Sequence, residues 1–110
     1  MKARYVQRGE SIDFTPAADV AAGDIVKVGN LVGVAKLDIR AGELGALALC
    51  GVYEIATSGT AVEAGAVVFV DPATGKVCAE GAAGAVRFGH AVAAAAAADA
   101  LVHVRLEQGL

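Results

Sequence analysis

Four side chains carry the types that nucleophilic or metal chemistry would need: Cys50, Cys78, His90 and His103. A thiolate beside an imidazole is a nucleophile, and two of each make a donor set for zinc. Structural zinc sites usually draw ligands in closely spaced pairs, whereas these four are singletons in separate stretches of chain. A Cys–His nucleophile would also need an orienting third group and an oxyanion-hole loop, and no segment offers either. The four therefore read as reduced core thiols and partly exposed strand histidines. No catalytic residue, metal site or cofactor is assigned, and the chain is not expected to be an enzyme.

A second stretch with a chemical reading is Ala73-Thr74-Gly75-Lys76, which looks like the tail of a phosphate-binding loop. That loop requires glycine at the place of Val70 and serine or threonine at the place of Val77. Both requirements fail, and a turn between strands accounts for these residues. The carboxylates Glu10, Asp19, Asp24, Asp38, Glu43, Glu63, Asp71, Glu80 and Asp99 fall at turns or strand ends, and no two stand out as an acid and base sharing a cleft. The remaining charged feature is the amino terminus, where Lys2, Arg4 and Arg8 surround Tyr5. Residues 1–8 read as a solvated basic arm or edge strand, or as a docking element for an acidic partner surface.

A chain of 110 residues is expected to be one β domain with a modest core. The hydrophobic fraction is nevertheless 56%, mostly Ala and Val, with three Phe, two Tyr and no Trp. So much apolar content in a small domain suggests that some of it is hidden by self-association, a homo-oligomer. The formal net charge of −3 argues against a nucleic-acid partner, which a positive field would attract. Tyr5-Val6-Gln7-Arg8 follows the first residues where a signal core would be apolar, and no run approaches the ~20 apolar residues that cross a bilayer. A cytosolic chain with no membrane partner is expected.

The elements that would position these residues are strands. In Ala21–Leu37, the run Asp24–Val28 meets the two-residue turn Gly29-Asn30 and returns as Leu31–Leu37. That turn sets Val28 opposite Leu31, Lys27 opposite Val32, Val26 opposite Gly33 and Ile25 opposite Val34. Apolar side chains then lie on both faces of the ribbon, and both need cover. The theme recurs: Ala22-Gly23-Asp24-Ile25-Val26-Lys27-Val28 aligns with Ala64-Gly65-Ala66-Val67-Val68-Phe69-Val70, which suggests internal repetition. Further strands are expected at Arg4–Gln7 and Ser11–Thr15, joined at Arg8-Gly9-Glu10. Glu43–Ile55 is expected as one long strand or two bent at Gly51. Ala85–Val92 and Ala100–Leu106 complete the set, and Ala93–Ala98 reads as a bulging loop in preference to a helical turn. The fold class is all-β: a small closed or partly open barrel or sandwich built from hairpins, with little or no helix.

The order Tyr5-Val6-Gln7, Gly9-Glu10, then Ala22–Gly29 with Gly33-Val34-Ala35, Gly65–Asp71, Thr74–Val77, Gly89-His90-Ala91 and Val102–Leu106 resembles the small bacteriophage capsid cement, or head decoration, proteins. The resemblance spans nearly the whole chain. It implies a β-barrel-like domain that binds the outside of the expanded phage or prophage head through the major capsid protein, as a trimer. It also implies a chain made in the bacterial cytoplasm and carried on the virion exterior. Some relatives bear a recombinase label, which the missing nucleotide loop does not support. The alternative reading is a small binding module for a peptide or carbohydrate, with a groove near Tyr53, Phe69 and Phe88.

Overall fold

The computed structural model describes residues 3–108, and among them there is no helix. Nine strands form two sheets. The first is open and antiparallel, built from β1 (Ser11–Phe14), β2 (Ile25–Val28), β3 (Leu31–Ala35) and β4 (Gly45–Ala48) in the order β1-β4-β3-β2. The second comprises β5 (Gly51–Ala56), β6 (Val67–Asp71), β7 (Lys76–Cys78), β8 (Val86–Ala91) and β9 (Leu101–Leu106), and it closes on itself as β5-β7-β6-β8-β9. The all-β expectation holds, with one sheet open and the other a ring.

The first hairpin forms in the register that its turn dictates. Ile25 faces Val34, Val26 faces Gly33, Lys27 faces Val32 and Val28 faces Leu31, with Gly29 at φ +60°. Alternation then separates the faces of β3. Val32 and Val34 join the core of the second sheet, around Phe88, while Ala35 joins a smaller core with Ile39 and Leu47. The ribbon is thus covered on both faces at β3, as its two-faced apolar pattern required.

The repetition is structural as well as textual. Gly23 N–H donates to the Ala35 carbonyl at 2.7 Å, and Gly65 N–H donates to the Ala91 carbonyl at 2.7 Å. Val20 and Ile39 exchange two backbone hydrogen bonds of 2.8 Å, as do Val62 and Ala95. β1 runs antiparallel to β4 as β5 does to β9, and β2 pairs β3 as β6 pairs β8. Strands β1, β2, β3 and β4 therefore correspond to β5, β6, β8 and β9. The supernumerary strand is β7, which stands where the first half has only Gly29-Asn30. It pairs antiparallel with β6 and, through Ala56 and Lys76, parallel with β5, and this second pairing closes the ring.

Two expectations change, and between them a third resolves to the second of its two forms. Arg4–Gln7 is not a strand: these residues are exposed and belong to no ladder, because nothing apolar faces Tyr5 and Val6, which are 79% and 83% exposed. The long tract splits into β4 and β5, which belong to different sheets, and Gly51 at φ +117° makes the change of direction. Cys50, at that junction, is exposed and not a core thiol, whereas Cys78 is half-buried. The alanine run is a loop, as expected. Ala95 is pinned to Val62, and Asp99 accepts the Ala96 N–H at 2.7 Å.

Candidate docking surface

The residues with chemical potential do not converge. His90 on β8 sets Nδ1 3.0 Å from Glu107 Oε2, and His103 on β9 sets Nε2 3.4 Å from Glu54 Oε1 on β5. These are two separate pairs, one within the second sheet and one between β8 and the residue just after β9, with every member about one-third exposed or more. The His90 hydrogen bond, foremost, holds the Glu107 carboxyl below its ordinary range, with partial burial opposing it. Burial, reinforced by the Asp71 charge, pushes the Cys78 thiol up and away from reactivity. Among the described residues no three of His, Cys, Asp and Glu gather where an ion could be held.

The aromatic groove of the alternative reading does not form. Phe88 is fully buried at the centre of the larger core, with Tyr53 packed edge-on against it at 6.1 Å. Phe69 points to the other face of the sheet, because it lies between Val68 and Val70, which are 2% and 0% exposed. A concavity of about 420 Å³ lies between β6, β7 and the loop Thr60–Glu63, and Phe69 is the one aromatic on its wall.

The turn carboxylates do more than sit in solvent. Asp19 accepts Ala41 N–H at 2.8 Å, Asp38 accepts Ala22 N–H at 2.8 Å, and Asp24 accepts Ala21 N–H at 3.0 Å. Each fixes a connection of the first half and keeps its charge at the surface. The sequence signal was there, in aspartates next to Gly and Ala turns, but the long-range partners of Asp19 and Asp38 depend on the fold. Gln108 was also unremarked. Its amide donates to the carbonyls of Val32 and Leu49 at 2.7 and 3.0 Å, and its oxygen accepts Val32 N–H at 2.9 Å. One side chain thus ties the segment after β9 to β3 and to the β4–β5 junction.

Of the expected docking residues, Arg4, Tyr5 and Arg8 lie on an exposed arm, while Lys2 falls outside the described residues. Arg8 meets Glu10 at 3.4 Å, a solvent-facing pair worth ~0–1 kcal/mol. The arm presents two cations and the apolar bodies of Tyr5 and Val6 to solvent. Further apolar exposure lies at Leu37 and Leu44, which flank a shallow concavity of the first half. The described surface thus offers apolar knobs and a basic exposed segment, features suited to binding another macromolecule.

A family model described as phage cement protein matches residues 6–106, from the arm through the last residue of β9. The chain belongs to the phage cement protein family. Comparison with curated proteins gives no match, and comparison with solved structures gives none either. Membership brings a phage structural role and association with the capsid, and it accounts for a chain whose exposed surface is better developed than any enclosed site. For a cement protein the stiff, doubly covered β3 and the closed second sheet form a frame, and the exposed arm and turns are what the frame can present.

Proposed function

We propose that this cement protein binds the outer surface of the assembled phage head through the major capsid protein, and that it stabilises the shell by doing so. The family match over residues 6–106 carries this reading. A protein that binds the assembled shell and not its dissociated subunits adds its binding free energy to the shell's stability. That contribution is about 2.7 kcal/mol per site when the free protein stands at a hundred times its dissociation constant. Many symmetric sites multiply a modest affinity. Residues Lys2, Arg4, Tyr5 and Arg8 are the proposed contacts, since a basic, exposed segment suits an acidic capsid surface. A trimer is the proposed assembled form, matching the threefold positions of an icosahedral lattice, and the chain passes from the bacterial cytoplasm to the virion exterior.

The test is co-sedimentation of the purified chain with undecorated heads of its phage. Saturable binding at a fixed ratio to capsid protein, with a raised temperature of head disruption, is the expected result. Absence of binding at any concentration overturns the proposal.

A further inference from the structure

The internal duplication shows a place in the first half that has no occupant within the described chain. Strands β1 and β2 are the two ends of the open sheet, and their counterparts β5 and β6 are bridged by β7. Ile12 and Phe14 of β1 and Val26 of β2 pack against the same three buried residues, Ala35, Ile39 and Leu47, so the open sheet already curves around one core. The curvature is not completed. Val28 is 36% exposed, whereas Val70, its counterpart beside β7, is 0% exposed.

We propose that the open sheet receives its fifth strand from a second copy of this chain, with the partner's segment Arg4–Arg8 lying between β2 and β1 as β7 lies between β6 and β5. Three observations select this occupant. The segment joins no ladder among the described residues, and Tyr5 and Val6 are 79% and 83% exposed, so it carries strand-forming side chains without a sheet. Direction excludes the molecule's own arm. β7 runs parallel to β5, so its equivalent must run parallel to β1, and an arm that enters β1 through the turn at Gly9 can only fold back antiparallel. Charge is the third. The arm is basic, whereas beyond it the first half exposes six carboxylates, Glu10, Asp13, Asp19, Asp24, Asp38 and Glu43, against three cations, Lys27, Lys36 and Arg40.

Donation from each copy to the next supplies partners for the arm and for both sheet edges in a single contact. If the rotation closes, it generates a ring of copies. At roughly 3.3 Å per residue, five residues span about 16 Å, enough to run the length of a four-residue edge strand. Self-association by this route does not depend on capsid binding. Side chains alternate along a seated strand, so Arg4 and Arg8 share the face opposite Tyr5, and only one face of the arm is left for the capsid.

The test compares the full chain with the full-length double variant Tyr5→Asp/Val6→Asp, whose changes lie on exposed residues outside both cores of the monomer. Light scattering across a concentration series should show association of the full chain, weakened at least tenfold in the variant. Amide hydrogen exchange should show protection that rises with concentration at Phe14–Thr15 and Lys27–Gly29, and no such rise in the variant. A monomer at every concentration overturns the proposal. So does association that the variant leaves intact, or protection that builds at other strands. Head binding by a chain that stays monomeric would overturn this proposal and leave the cement reading standing.

Discussion

Gly33 and Gly89 hold the same place in the two halves of the protein. Each faces the second residue of the strand it pairs with, Val26 of β2 in one case and Val68 of β6 in the other, and each offers bare backbone to the strand on its far side. A β-carbon at Gly33 would meet Leu47 Cβ at 2.8 Å, and one at Gly89 would overlap the Arg105 carbonyl. Within each half, two neighbouring strands are therefore drawn together at the equivalent point, where no side chain fits.

Substitution by alanine should destabilise both, unequally. At Gly33 the obstruction is Leu47 Cβ, which moves only with the β4 backbone but need give by only a few tenths of an ångström, and Gly33→Ala is expected to cost about 1–3 kcal/mol. At Gly89 the obstruction is the backbone of β9, so relief requires β8 and β9 to part, and the loss should exceed that range. Urea unfolding of the two variants checks the order. Equal midpoints would mean that the ring accommodates a wider β8–β9 spacing than its hydrogen bonds suggest.

Much of this architecture was legible in the residues, for identifiable reasons. Gly29-Asn30 fixed the register of the first hairpin because a two-residue turn leaves no freedom to slip. Leu101–Leu106 was legible because strict alternation reports one buried face. Arg4–Gln7 misled because strand propensity says nothing about whether a partner edge is present. Gln108 could not be read at all, since its partners Val32 and Leu49 are remote in sequence and only the fold brings them near. The docking surface was legible only as a cluster of basic residues, because exposure at Tyr5 and Val6 is a property of the folded chain.

The Gln108 clamp should contribute measurably to stability. Replacing it by alanine removes three hydrogen bonds and leaves a part-buried N–H and carbonyl at Val32 to find water. A loss of about 1–3 kcal/mol is expected. Gln108→Ala should lower the urea midpoint and speed amide exchange at Val32 ahead of the rest of β3. An unchanged midpoint would show that water replaces the clamp at no cost.

The two cysteines should react in two phases. Cys50 is exposed at the β4–β5 junction, whereas Cys78 is half-buried on β7 with its thiol pushed up by burial and by the Asp71 charge. Since the thiolate is the reactive form, a maleimide or aromatic disulfide reagent should modify one thiol per chain quickly and the second much more slowly. Cys50→Ser should abolish the fast phase alone. A single phase of two thiols would mean that β7 detaches readily from β5, to which only Ala56 and Lys76 pair it.

The His90–Glu107 pair gives stability a dependence on acid. Glu107 is held below its ordinary carboxylate range, chiefly by the His90 hydrogen bond, so the unfolded chain binds this proton more readily than the folded one. Its contribution is therefore complete above the unfolded carboxylate value, ~4.3, and is lost as pH falls through the lower folded value. Glu107→Gln should be less stable than the parent at neutral pH, by a small margin given its exposure, and the two should converge in acid. Urea midpoints of both proteins measured from neutral pH down to about 3 check this. A gap that persisted undiminished in acid would assign the effect to packing of the side chain and not to its charge.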